Sequence, residues 1–160
     1  FSRKDGLLVG AGTVMSPELV RDAVAAGARF VVSPICDPRV VAEAAEQDVA
    51  CIPGAFTPTE METAYRLGAD FVKVFPAPPG GVAYIEAVRG PLPHLRLFPT
   101  AGATPENFTE YLDAGCAGVG FVKSLFDPAD LASRRFDAIR ERAQGIFRRL
   151  AAWRGMDVTP

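Results

Sequence analysis

Residues 57–76 read Thr57-Pro58-Thr59-Glu60-Met61-Glu62-Thr63-Ala64-Tyr65-Arg66-Leu67-Gly68-Ala69-Asp70-Phe71-Val72-Lys73-Val74-Phe75-Pro76. Thr57 before Pro58 is a helix start: a capping side chain, then a residue whose fixed φ and missing N–H suit the first helical position. Glu60, three residues after Thr57, completes a capping box. Gly68 stands where a helix closes in the left-handed conformation. Phe71–Phe75 is then a short apolar run ended by proline, which reads as a buried parallel strand. The stretch is one helix-to-strand unit of an α/β fold.

The same grammar recurs on both sides. Apolar runs at Leu7–Val9, Phe30–Val32, Ala50–Ile52, Phe71–Phe75, Leu95–Phe98 and Val119–Val122 start about 20 to 25 residues apart, the length of a compact βα repeat. Ser16-Pro17, Asp37-Pro38, Thr104-Pro105 and Asp127-Pro128 repeat the Thr57-Pro58 start, and Gly27 and Gly115 repeat the Gly68 stop. Strand alternating with helix implies a parallel sheet with right-handed crossovers. The expectation is α/β, a (β/α)8 TIM barrel, with six βα units present. A closed barrel has eight strands. At about 22 residues per unit, two more need about 45 residues, so the chain is read as strands 3–8, incomplete at its N-terminus. Residues 1–160 are expected to form a single barrel domain, with a terminal helix region over 128–153. There Phe136, Ile139, Ala143, Ile146 and Leu150 share one face, and the intervening arginines are expected on a solvated outer face.

Composition narrows the function. The chain has 160 residues, 49% of them hydrophobic and 22% charged, with net charge −2 and a pI near 5.4. No basic field points to nucleic acid and no polybasic block to a membrane surface. No apolar run approaches the roughly 20 residues of a membrane helix. Cys36, Cys51 and Cys116 are scattered and odd in number, which favours a reducing compartment. The lone His94 cannot anchor a usual zinc site and belongs in a loop. The sequence opens on Phe1, so a leader peptide is left open.

Lys73 is the sharpest chemical signal. Side chains alternate along a strand, so Val72 and Val74 take the helix-facing side while Phe71, Lys73 and Phe75 point inward. An amine among aromatic rings loses hydration, its pKa falls, and the neutral form can attack a carbonyl. A structural lysine paired with a carboxylate, or one snorkelling out at the strand end, fits the spacing equally well. Small residues at the other strand ends, Gly10-Ala11-Gly12-Thr13, Ser33-Pro34, Pro53-Gly54 and Pro99-Thr100-Ala101-Gly102, lie in the βα loops where such barrels bind ligands.

Gly10-Ala11-Gly12-Thr13-Val14, Phe30-Val31-Val32-Ser33-Pro34, Ile52-Pro53-Gly54, Phe71-Val72-Lys73-Val74-Phe75-Pro76-Ala77 and Pro99-Thr100-Ala101-Gly102, in this order, resemble the class I KDPG/KHG aldolase family. That family comprises 2-dehydro-3-deoxy-6-phosphogluconate aldolase, 4-hydroxy-2-oxoglutarate aldolase and phosphogalactonate-specific relatives. The likeness runs to about Leu150. It implies a cytoplasmic, homotrimeric carbon–carbon lyase that makes pyruvate and an aldehyde from a keto acid or phospho sugar acid, with no metal or organic cofactor. By the same resemblance Lys73 forms the Schiff base, and Thr13, Pro53, Gly54 and Thr100 surround the substrate carboxylate and its water. Phe75 packs beside the lysine, and Ala101 and Gly102 hold phosphate through backbone N–H groups. The family's general acid/base glutamate belongs to an earlier strand, and neither Asp70 nor Glu86 matches it. Val122-Lys123 stands at the family's Gly-Ser phosphate pair; Lys123 is either a point charge for phosphate or a surface lysine at a helix entrance. Two other functions remain open: a non-catalytic barrel binding a phosphorylated or keto-acid ligand, and an isomerase in which Lys73 acts electrostatically.

Overall fold

Each predicted helix start is tested by whether its side chain meets an orphan N–H. In the computed structural model, which describes residues 6–156, Ser16 accepts from Leu19 N–H and opens α1 (Pro17–Ala25). Asp37 accepts from Arg39 N–H and opens α2 (Pro38–Glu46). Thr57 opens α3 (Pro58–Arg66) with both halves of the capping box formed. Asp127 accepts from Ala129 and Asp130 N–H at the start of α6 (Pro128–Ala132). The glycine stops also hold, with φ of +96° at Gly27, +93° at Gly68 and +84° at Gly115.

Thr104-Pro105 behaves differently. Its hydroxyl accepts from Glu106 and Asn107 N–H, which closes a turn, and α5 begins only at Phe108 (Phe108–Asp113). Another helix, α4 (Val82–Arg89), starts without a side-chain cap, from Gly81 at φ +53°.

The strands are β1 (Ala11–Gly12), β2 (Phe30–Val32), β3 (Ala50–Ile52), β4 (Gly54–Ala55), β5 (Val72–Val74) and β6 (Leu97–Pro99). All pairings are parallel, in two three-stranded sheets ordered β1-β2-β3 and β4-β5-β6. Pro53, which has no N–H, separates β3 from β4, so one extended segment serves β2 with its first half and β5 with its second. Lys73 N–H to the Pro53 carbonyl, at 2.9 Å, carries the pairing across the break. The result is the parallel α/β arc of a partial barrel.

Two expected strands are corrected. The first lies at Ala11–Gly12 rather than Leu7–Val9: Val9 accepts only from Arg29 N–H, and Leu8 is 74% exposed. The last is reduced to a single bridge, Thr100 to Gly120, flanked by Ala117 N–H to Leu97 and Gly120 N–H to Pro99. Gly118 and Gly120 offer no side chain to anchor it.

The core lies between the outer strand faces and the helices. Val31 and Cys51 pack with Val20, Val40 and Val41 of α1 and α2. Val72, Val74 and Leu97 pack with Met61, Ile85 and Phe108 of α3, α4 and α5. Burying each such valine stabilises the fold by about 2 kcal/mol. Cys51 and Cys116 are core residues, and burial pushes both thiols up to about 12. His94 sits in a surface loop against Glu62, 2.8 Å away. No helix among the described residues is long and apolar enough to cross a membrane.

In the terminal region α7 (Phe136–Trp153) buries Ile146, but Phe136 is 55% exposed at its first turn, so the expected apolar face begins later. Arg142 is the arginine of the helix that leaves solvent, with its side chain 28% exposed; it and the exposed Arg135 just before the helix both turn onto the buried carboxylate of Asp130. The hydrogen bond from Arg135 is the main force holding that carboxyl below 3.8, its usual value. A depressed folded-state pKa adds stability above the unfolded value, and this is lost as pH falls through the folded value. Asp130→Asn should therefore flatten the acid limb of a urea-stability profile. An unchanged acid limb would contradict the assignment.

Candidate active site

Alternation along β5 puts Val72 at 1% and Val74 at 0% exposure on the helix side. That leaves Lys73 on the inner side, half-buried. Its Nζ lies 4.5 Å from the centroid of the Phe75 ring, while Phe71 meets Phe98 edge-on at 6.3 Å. Register sets Lys73 between Gly54 of β4 and Phe98 of β6. Burial lowers the Lys73 pKa from 10.5, and no neighbouring carboxylate opposes it. Among the described residues none lies within ion-pair distance of it. The paired-lysine alternative therefore has no partner within them. The side chain of Asp70 is engaged by Cys51 N–H at the opposite end of the strand, and Glu86 is exposed on α4.

The predicted residues fall into three places. Pro53, Gly54 and Phe75 stand around Lys73: Pro53 is fully buried, and Gly54 and Phe75 share a cavity of about 250 Å³ with Pro34 and Cys36. An added Cβ at Gly54 would overlap the Pro34 carbonyl and come within 2.9 Å of the Ser33 carbonyl oxygen. Close backbone approach requires glycine there.

Thr100 follows β6 and lines a cavity of about 730 Å³ on the inner sheet face, together with Phe30, Ile52, Phe71 and Phe98. Ala101, Gly102 and Lys123 line a third space of about 360 Å³. Thr13 stands apart, exposed beyond the edge strand β1. Both Thr13, at φ +59°, and Ala101, at φ +67°, hold left-handed backbone. That conformation is costly for residues with a side chain and collects at ligand-binding loops.

Two residues that order the site were not singled out from the sequence. Asn107 accepts from Thr104 N–H at 2.8 Å and donates to the Gly102 carbonyl at 3.3 Å. Ser124 donates to the Ala103 carbonyl at 3.0 Å. The Thr104-to-Asn107 spacing was the available signal for the first; the second depends on contact across 21 residues. Among the described residues, no group of three His, Cys, Asp or Glu side chains is arranged to hold a metal ion.

A family model described as KDPG and KHG aldolase matches residues 1–141. The chain is 38% identical over 123 residues to 2-dehydro-3-deoxy-6-phosphogalactonate aldolase of Escherichia coli K12, covering 76% of this chain and 60% of that protein. It is 45% identical over 107 residues to 2-dehydro-3-deoxy-phosphogluconate aldolase of Treponema pallidum, covering 66% and 51%. The chain thus spans about half to three fifths of these relatives. Among solved structures it resembles the Legionella pneumophila KDPG aldolase with pyruvate captured as a covalent carbinolamine. That match has a TM-score of 0.80 and 30% identity, over 88% of this chain and 69% of the other.

Proposed function

The chain belongs to the KDPG and KHG aldolase family, and from that membership we propose that it acts as a Schiff-base-forming lyase. It would cleave a 2-dehydro-3-deoxy-6-phospho sugar acid, or 4-hydroxy-2-oxoglutarate, to pyruvate and an aldehyde. The observation that carries the proposal is Lys73: half-buried, against an aromatic ring, with its pKa lowered by burial and without a carboxylate beside it.

In this reading the neutral Nζ adds to the C2 carbonyl, and the carbinolamine loses water to give a protonated imine. The C4 hydroxyl gives up its proton to a water in the site, the C3–C4 bond breaks, and its electron pair flows into the imine. An aldehyde leaves and a pyruvate enamine remains. Protonation at C3 and hydrolysis of the imine release pyruvate and restore the amine. The nucleophile supplies its own electron sink, so the scheme draws on no metal or organic cofactor.

Pro53, Gly54 and Thr100, on the strands that flank Lys73, would meet the keto-acid carboxylate and its water; Thr13, which stands apart, is assigned there by the family likeness alone. Phe75 would keep the amine desolvated, and Ala101, Gly102 and Lys123 would receive the far end of the substrate. With this reading go a cytoplasmic enzyme and a homotrimer.

Pyruvate release from each candidate substrate, followed by a coupled lactate dehydrogenase assay, tests the proposal; none from any of them would refute it. The pH dependence supplies a second check. A lysine whose pKa is lowered is neutral over a wider range, so imine formation should rise with pH along a limb centred below 10.5, the ordinary lysine value. A limb at the ordinary value would place the reactive amine elsewhere.

A further inference from the structure

Helix α4 begins with donors unspent. Its first turn has no side-chain cap and no Asp or Glu. The carbonyls beside it are used: Pro78 accepts from Gly81 N–H and Gly80 from Ala83 N–H, each at 3.1 Å. Among the described residues, the N–H groups of Val82 and Tyr84 meet no acceptor. A helix start with open N–H groups carries partial positive charge. On its own that marks no site, since water serves such groups on any surface.

A second group meets the helix there. Tyr111 of α5 is only 3% exposed, and its ring belongs to the core around Ile85 and Phe108. Buried tyrosines ordinarily bond their hydroxyl. Tyr84 does so, donating to the Phe56 carbonyl. Among the described residues, the Tyr111 hydroxyl has no partner. It lies 3.4 Å from where a Cβ would stand on Gly81, the residue that opens α4, and 3.2 Å from one on Gly102. Among the described residues no side-chain oxygen sealed from solvent lacks a partner, so this oxygen opens outward beside Gly81. Burial raises the phenol's pKa above its ordinary 10.0, which keeps it a donor near neutral pH.

We infer that the amino end of α4 and the Tyr111 hydroxyl form a binding site for a small oxyanion. Val82 N–H, Tyr84 N–H and the phenolic O–H supply three donors, and the helix dipole favours negative charge at that end. Glycine at 81 and 102 leaves the phenolic oxygen uncovered. Neither Gly81 nor Tyr111 lines the space shared by Ala101, Gly102 and Lys123 or the cavity at Gly54 and Phe75, so this is a separate site. The loop 77–81 runs from the end of the Lys73 strand into α4, and a bound oxyanion would brace it. The inference does not depend on the aldolase reading.

The test is binding, measured apart from turnover. Sodium sulfate is titrated into the full chain at constant ionic strength, following the backbone amide resonances of Val82 and Tyr84. The two are expected to shift together and to saturate with one dissociation constant. Tyr111→Phe keeps the ring and removes only a hydroxyl that has no partner among the described residues. Its urea midpoint should match the parent's, while sulfate should bind about 10-fold more weakly, the low end for a hydrogen bond to a charged group. Gly81→Ala, which sets a methyl beside the oxygen, takes its place should that variant not fold.

Amides that do not move, shifts that grow without saturating, or a variant that binds sulfate like the parent would each overturn the inference. Borohydride capture of pyruvate at Lys73 is run alongside. Its failure would sink the aldolase reading and leave the oxyanion site to stand or fall on the titration.

Discussion

Incubating the chain with pyruvate and borohydride should leave a reduced pyruvyl adduct on Lys73, found by peptide mass spectrometry, and Lys73→Met should carry none. Methionine keeps the length and apolar stem of lysine, so Val72 and Val74 stay packed against the helices and any loss reports on the amine alone. Removing a covalent nucleophile eliminates the imine and not merely a contact. Turnover should fall by about 10⁴-fold or more, as it does for other nucleophiles that act as part of a unit. Lys73→Arg should fare no better: a guanidinium stays protonated and has no free pair to offer. An adduct on Lys123 or the N-terminus instead, or undiminished turnover in Lys73→Met, would remove Lys73 from the mechanism. The non-catalytic binder and the electrostatic isomerase would then return.

Gly54→Ala should be the most damaging single methyl group near the site. The added carbon would meet the carbonyls of Ser33 and Pro34, which are backbone and cannot swing aside as a side chain can. Relief requires β4 to move away from β2's continuation, and β4 holds Lys73 in register. Overpacking of this kind costs about 3 kcal/mol, a large share of a domain's stability. Urea denaturation should show a midpoint well below that of the parent. The surviving folded fraction should capture pyruvate more slowly, because displacement of about 1 Å in a catalytic group is enough to slow its reaction greatly. Parental stability together with parental capture would mean that the close approach at Gly54 is not needed.

How much of this was legible beforehand varied with the physics behind each signal. Caps at Ser16, Asp37, Thr57 and Asp127 and stops at Gly27, Gly68 and Gly115 were readable because each is decided within a few residues by one orphan N–H or one φ. The facing of Lys73 was readable because strand alternation has a period of two. Leu7–Val9 misled because an apolar run announces a strand only where neighbours lie ready to cover it, and Leu8 is mostly bare. Thr104-Pro105 misled because a hydroxyl before proline caps a turn as well as a helix, and Asn107 decided between them. The residues of the site were named from the family likeness. What stayed hidden was their grouping, with Ala101, Gly102 and Lys123 around one space and Thr13 apart, since that depends on segments 20 or more residues distant coming together.

The alternation on β5 has a further consequence. Sliding this strand by one residue would turn the ammonium toward Met61 and Ile85 and set two valines where the aromatic ring now waits. A charge among those side chains has no counterpart to settle against, so the misthreaded sheet is disfavoured at the residue on which chemistry would depend. The reactive amine thus doubles as an alignment mark. A chain that assembles at all assembles with Lys73 on the inner face, where the proposed chemistry needs it.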